Sequence, residues 1–254
     1  MGMMQKTVAQ KLFELNGQFY REYGGAFAET RRRIQPGVHR ILEEWLAEGD
    51  WLDLGCGSGA LSANWVEQGK PGLYEGLDFS PVLIAAARRA GAGYALAPGQ
   101  SVLFNEVNLA DSNWKSVCSL KQYSGVLMFA ALHHIPGAKT RLRLLGQIAA
   151  LLPVGGLFIH SEWQFTHSPK LVARIQPWSA AGLTGQDVEE GDTLLDWRRV
   201  LPDQTNQPGL RYVHLFSASE LETLASQSGF EIINEFQSDG STGNLSLYQV
   251  WRRN

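Results

Sequence analysis

Cysteine is scarce in this 254-residue chain, with only Cys56 and Cys118 present. Two thiols build neither a disulfide framework nor a four-cysteine zinc site. Long apolar runs are missing as well. No stretch approaches the roughly 18 consecutive apolar residues of a membrane span, so no membrane partner is expected. Charge of one sign is not in excess either: 22 Lys and Arg against 25 Asp and Glu leave a net charge of −3. That excludes a surface built throughout as a polycation for nucleic acid, and DNA is not an expected partner. A local basic patch stays open. There is no internal repeat and no low-complexity segment. The opening Met-Gly-Met-Met-Gln-Lys leads into an amphipathic stretch rather than an apolar one, so no secretory signal is expected. Lys6 stands where a myristoylation motif needs Ser or Thr. These absences predict a soluble cytoplasmic protein with reduced thiols.

What is present is an ordinary globular balance, 44% hydrophobic and 19% charged residues. Val8, Leu12, Leu15, Phe19 and Tyr23 recur at helical spacing and predict a helix over 8–23. Pro36 suits the first turn of a second helix running towards Gly49. From Trp51 the pattern changes. Short apolar runs at 51–54, 73–77, 102–107, 125–130 and 157–160 alternate with helical stretches at 60–68, 81–90, 112–120 and 138–152. Such alternation means parallel strands joined by right-handed crossovers. It fails after residue 162. Residues 163–210, with Trp163, Trp178 and Trp197, read as an inserted lid or substrate-recognition segment. A helix over 217–228 and two antiparallel strands near 231–236 and 245–251 close the chain. We therefore read residues 1–254 as one α/β domain: a helical cap (1–48), a core (49–162), the insertion (163–210) and a C-terminal helix and strands (211–254).

The most informative segment is Trp51-Leu52-Asp53-Leu54-Gly55-Cys56-Gly57-Ser58-Gly59. An apolar strand ends in an acid, and glycines then alternate before a helix begins. Glycines there let a ligand approach bare backbone. Asp78 lies nineteen residues past Gly59, at the end of the next strand, where an acid hydrogen-bonds ribose hydroxyls. The spacing is G-x-G-x-G, not the G-x-G-x-x-G that seats a pyrophosphate on a helix N-terminus. Asp53 would repel a pyrophosphate and attract an ammonium. Together these features predict an adenosine ligand with a cationic, phosphate-free arm.

On these residues the chain resembles the class I S-adenosylmethionine-dependent methyltransferases. Residues 52–59 look like the family's first motif and 76–80 like its ribose-binding motif. Asn108 and Leu109 stand where the family reads adenine. Residues 127–136 resemble the fourth-strand motif, and 151–156 the turn before strand five. The resemblance implies a Rossmann-like, seven-stranded, mostly parallel sheet with a reversed last strand, helices on both faces and S-adenosylmethionine at the carboxyl ends of the strands. It implies cofactor contacts at Asp53, Gly55, Cys56, Gly57, Gly59, Asp78, Phe79, Ser80, Asn108, Leu109, Phe129 and Ala130, with Arg31 and Tyr23 closing on the methionine end. The segment 27–31, with Gly191-Asp192, Asp196-Trp197 and 211–216, is similar to the tRNA wobble-uridine carboxymethyl methyltransferases. The implied acceptor is a small molecule or a tRNA nucleoside, offering O or N.

His133 and His134 are the candidate catalytic residues. Neighbouring side chains at a strand end point apart, so one is expected to face the reaction and the other to pack. Trp163, Trp197 and Arg211 are candidate substrate contacts. His160, Glu162 and His167 lack a fourth ligand, so no metal site is expected. Two other functions remain. A nicotinamide-dependent oxidoreductase is disfavoured by the glycine spacing, and no Tyr is followed four residues on by Lys. A non-catalytic cofactor-binding subunit is disfavoured by the intact glycines and acids.

Overall fold

A computed structural model describes residues 4–30, 34–197 and 209–254, with residues 26–30 described by their helix alone. Its centre is a sheet built from β1 (Trp51–Leu54), β2 (Gly72–Asp78), β3 (Gln100–Glu106), β4 (Gly125–Phe129), β5 (Leu157–Trp163), β9 (Phe230–Ser238) and β10 (Ser246–Arg253). The spatial order is β3-β2-β1-β4-β5-β10-β9. β1 to β5 pair in parallel, and β10 runs antiparallel to both of its neighbours. The order reverses beside β1, which opens a crevice at the carboxyl ends of β1 and β4.

Strand alternation sends side chains to two separate cores. Leu52, Leu54, Val126, Met128 and Phe158 meet α5 (Ala138–Ala149) and α7 (Ala218–Ser228) through Leu144, Leu145, Leu221 and Leu224. Trp51, Tyr74, Leu127 and Ile159 meet α2 (Pro36–Glu44), α3 (Ala60–Glu67) and α4 (Pro81–Gly91) through Ile41, Trp65 and Ile84. Helices thus cover both faces, as the motifs implied.

Three local expectations are corrected. The first helix, α1, spans Lys6–Thr30 and runs straight through Gly24 and Gly25. Docking overrides the roughly 1 kcal/mol helical cost of a glycine, since Gly24 packs against Ser80 and Leu83 of the α4 start. The stretch 112–120 forms only a single 3₁₀ turn at Trp114–Val117. The second helix stops at Glu44 rather than near Gly49.

The insertion builds its own antiparallel sheet, β6 (Ile175–Gln176), β7 (Asp192–Trp197) and β8 (Gly209–His214), in that order. This sheet extends past residue 210 to His214. β8 lies against α1, so the insertion backs the helix whose Phe13, Asn16 and Tyr20 line the crevice. No described helix is long and apolar enough to cross a membrane.

Candidate functional site

A cavity of about 280 Å³ occupies the crevice. Its floor is the turn after β1. Gly55 and Cys56 both donate their N–H to the Leu77 carbonyl, at 2.7 and 3.0 Å, which curls the turn over the end of β2. Gly57 has φ +56, and a Cβ there would meet no atom within 4 Å. Gly57 lines the cavity, so this bare backbone faces ligand space. Gly59 does a different job: a Cβ would press on Ala87 and Phe104 at 3.1 Å, so it packs α3 against its neighbours.

Two acids flank the turn. Asp78 is 6% exposed and accepts from the Ser80 N–H at 2.9 Å and the Gly57 N–H at 3.0 Å, one on each oxygen. Each oxygen keeps a lone pair for a ligand hydroxyl. Burial raises its pKa to about 6, although those backbone donors pull it down. Asp53 is also buried and accepts from the Tyr74 hydroxyl. Burial, with repulsion from Asp78, raises it to about 7. Both acids line the cavity, and the described lining contains no lysine or arginine. Such a carboxylate gains from a cationic ligand. Hydroxyl-accepting Asp78, cation-seeking Asp53 and the bare Gly57 backbone therefore fit the ribose, ammonium and backbone-hugging arm of S-adenosylmethionine.

The opposite wall carries a histidine. His134 Nδ1 lies 3.0 Å from the Tyr212 carbonyl, and Nε2 lies 3.4 Å from the Tyr20 hydroxyl. A carbonyl only accepts, so Nδ1 holds a proton, and in the neutral ring Nε2 is then the acceptor. His134 and Tyr20 both line the cavity.

A family model described as a methyltransferase domain matches residues 27–235. The chain belongs to that family. No curated protein sequence matches it. Among solved structures it is similar to a SAM-dependent methyltransferase from Methanosarcina mazei, with 22% identity over 87% of this chain and 98% of that one and a TM-score of 0.61. The CcbJ methyltransferase of Streptomyces caelestis shares 16% identity over 85% of this chain and 93% of its own, with a TM-score of 0.58. A glycopeptide N-methyltransferase, MtfA, solved with S-adenosylmethionine, shares 14% identity over 87% and 93%, with a TM-score of 0.59.

Within this methyltransferase domain, the structure brings Asp53, Gly55, Cys56, Gly57, Asp78, Phe79, Leu109, Phe129, Ala130, His134 and Trp163 to the cavity wall. Ala130 holds φ +51, an unfavourable backbone for a residue with a Cβ. Its N–H is pinned by the Ser161 carbonyl at 3.0 Å and the Ser161 hydroxyl at 3.1 Å. Arg31 lies outside the described residues.

Other expectations need correction. Ser80 caps α4 rather than lining the cavity, accepting from the Leu83 N–H. Asn108 does not line the cavity, which Leu109 lines instead, and its amide oxygen accepts from the Ala110 N–H at 2.8 Å within a turn. His133 points inward. Its Nδ1 and its backbone N–H both meet Glu162, at 2.9 and 3.1 Å, and His160 meets the other Glu162 oxygen at 2.9 Å. Strand alternation explains this buried trio: His160 and Glu162 share one face of β5, and Ser161 and Trp163 share the other. Burial drives His160 down to about 3 and pushes Glu162 well up. His167 bonds instead to the Asn244 carbonyl.

Tyr23, Trp197 and Arg211 stand behind the wall. A helix turns about 100° per residue, so Phe13, Asn16 and Tyr20 face the cavity while Phe19 and Tyr23 rotate towards the insertion. There Tyr23 packs on Trp197, with ring centroids 5.0 Å apart. The Arg211 guanidinium covers the Trp163 ring at 4.5 Å.

Several wall residues had no sequence signal strong enough to single them out as site residues: Asn16, Tyr20, Ser161, Asp239 and Tyr248. Asp239 has φ +71 and accepts from the Gly37 N–H at 3.0 Å and the Tyr248 hydroxyl at 2.7 Å, which ties the start of α2 to the β9–β10 loop. Only the helical repeat Phe13, Asn16, Tyr20 offered a clue, and it reads equally well as core.

Proposed function

We propose that this methyltransferase moves a methyl group from S-adenosylmethionine to an O or N atom of a small molecule or of a modified tRNA nucleoside. The observation that carries this reading is the Asp78–Gly57 pairing beside Asp53, a donor and acceptor set that suits an adenosine with a cationic tail. Asp78 would hold the ribose hydroxyls and Asp53 the ammonium. Gly55, Cys56 and Gly57 would lie along the arm, with Phe79 and Leu109 against the adenine. Phe129 and Ala130 would border the methionine end.

S-adenosylmethionine supplies a methyl group already activated on a sulfonium, with a neutral thioether as leaving group. The chain's task is then alignment, which contributes roughly 7–11 kcal/mol in favourable cases. Trp163 and Tyr20 would orient the acceptor, and α1 with the insertion would exclude water. Where the acceptor must lose a proton, His134 Nε2 would take it. A carboxylate acceptor, as the resemblance to the tRNA enzymes suggests, would need no base. A cytoplasmic setting is consistent with two cysteines that form no disulfide.

The test is incubation with methyl-labelled cofactor and separated tRNA, protein and metabolite fractions, beside calorimetric titration with S-adenosylmethionine and NAD. Label in one fraction and binding of S-adenosylmethionine alone support the reading. Tight NAD binding without S-adenosylmethionine binding points to the oxidoreductase. Cofactor binding with no labelled fraction points to a non-catalytic subunit.

A further inference from the structure

Three segments distant in sequence meet at one buried amide. Asn16, on α1, is 2% exposed. Its Oδ1 accepts from the Tyr212 N–H at 2.7 Å. Its Nδ2 donates to the Tyr212 carbonyl at 3.1 Å and to the His134 carbonyl at 3.3 Å. The amide oxygen and both amide hydrogens are thereby engaged.

Among the described residues β8 is an edge strand, and no further described strand lies beside the main chain of Tyr212. Asn16 takes the place of that strand, satisfying the N–H and the C=O of one residue with one side chain. The same Tyr212 carbonyl accepts from His134 Nδ1. Asn16 therefore grips His134 twice, through its carbonyl and through the acceptor that its ring faces. Without a bond at Nδ1, a neutral histidine prefers its proton on Nε2, the nitrogen that lies towards Tyr20. That form could not accept a proton from a substrate.

We propose that Asn16 is a positioning residue for methyl transfer: by holding the Tyr212 carbonyl it fixes the His134 tautomer whose Nε2 lone pair serves as base. The proposal rests on the functional reading above, and deepens it by requiring an acceptor that carries a proton, such as a hydroxyl or an amine, rather than a carboxylate.

The test is ¹⁵N NMR of the full chain labelled at histidine, with His134→Gln assigning the resonance. The wild-type chain is expected to show His134 protonated at Nδ1 and bare at Nε2 near neutral pH. Asn16→Asp, which sets a carboxylate against two carbonyls, and Asn16→Leu, which removes all three bonds, are expected to move the proton to Nε2. Turnover on the labelled acceptor fraction should fall about a hundredfold, within the range for general-base catalysis, while cofactor affinity falls by less than about tenfold. A wild-type ring protonated at Nε2 overturns the proposal, and that measurement needs no variant. So does a variant that keeps the proton on Nδ1, or one that moves it with turnover unchanged. A wild-type chain that binds no S-adenosylmethionine overturns the functional reading instead, and the NMR result is read independently of it.

Discussion

Gly57 donates its N–H to Asp78 Oδ2 at 3.0 Å, joining the turn after β1 to the end of β2. The bond holds the carboxylate at the rim of the bare turn, with its second oxygen tied to the Ser80 N–H. Neither bond depends on a ligand, so the proposed ribose acceptor is already oriented.

Asp78→Ala should cost about 1.5–3 kcal/mol of S-adenosylmethionine affinity, the range for hydrogen bonds to a charged group. Calorimetry measures this directly. Equal affinity in the variant would remove Asp78 from the ribose role.

Gly57→Val and Gly55→Ala should fail in different ways. At Gly57 an added Cβ meets no neighbouring atom within 4 Å, so the fold bears mainly the cost of φ +56, about 1–2 kcal/mol. It fills ligand space, and cofactor binding should be lost from a folded chain. At Gly55 a Cβ comes within 2.6 Å of the Ala131 Cβ, so a fall in Tm should dominate. Thermal unfolding beside calorimetry separates the two. Full binding by Gly57→Val would contradict the placement of the ligand.

Cofactor affinity should rise with pH towards neutrality. Burial holds Asp53 at about 7, far above the ordinary carboxyl range, and only its ionised form attracts an ammonium. Affinity should climb between about pH 5 and 7 and level off above, with proton release on binding inside that window. Without ligand the sign reverses. The folded chain keeps a proton that the unfolded chain gives up above about pH 4, so native stability should decline from there to pH 7. Calorimetry in buffers of different ionisation enthalpy reads the proton count. A flat profile in the wild type, equal to that of Asp53→Asn, would exclude the role given to Asp53.

His214 fastens the insertion to the core. Its Nδ1 meets Asp192 at 2.7 Å and its Nε2 meets Glu220 at 2.9 Å, while Arg141 reaches Glu189 and Glu220 and Tyr212 reaches Asp192. Burial opposes protonation of the ring, but the two carboxylates outweigh it and raise the pKa. His214→Gln should cost about 3 kcal/mol near pH 6, as expected for breaking a buried pair. The protonated ring stabilises the fold fully below the ordinary histidine value of about 6.5. That contribution is lost as pH rises through the elevated folded value, so the gap between wild type and variant should narrow in alkaline buffer. Denaturant unfolding at several pH values checks this. A gap independent of pH would mean that the ring has the same pKa folded and unfolded, so that Asp192 and Glu220 do not favour its charged form.

The strand–turn–helix of residues 51–59 and the acid at Asp78 were legible because the chemistry lies within one short segment and the strand beside it. Alternation of apolar runs and helical stretches was enough to specify the parallel sheet, and the turn-rich linker before β10 marked the reversed strand. The walls were less legible. Tyr20 and Tyr23 look alike as apolar helical positions, and only the docking of α1 on β8 decides that the first faces the cavity and the second faces Trp197. Asn108 looked like an adenine reader, yet it sits in a turn off the cavity wall.

The amino-acid order by itself determined the floor of the site, because a strand, its turn and the following helix stay neighbours however the rest of the chain folds. The tertiary structure alone decided the walls and the surroundings of His134. Asn16 finds Tyr212 across 196 residues, and Gly37 finds Asp239 across 202. Which side chains meet over such separations depends on helix rotation and sheet edges, which no local pattern encodes.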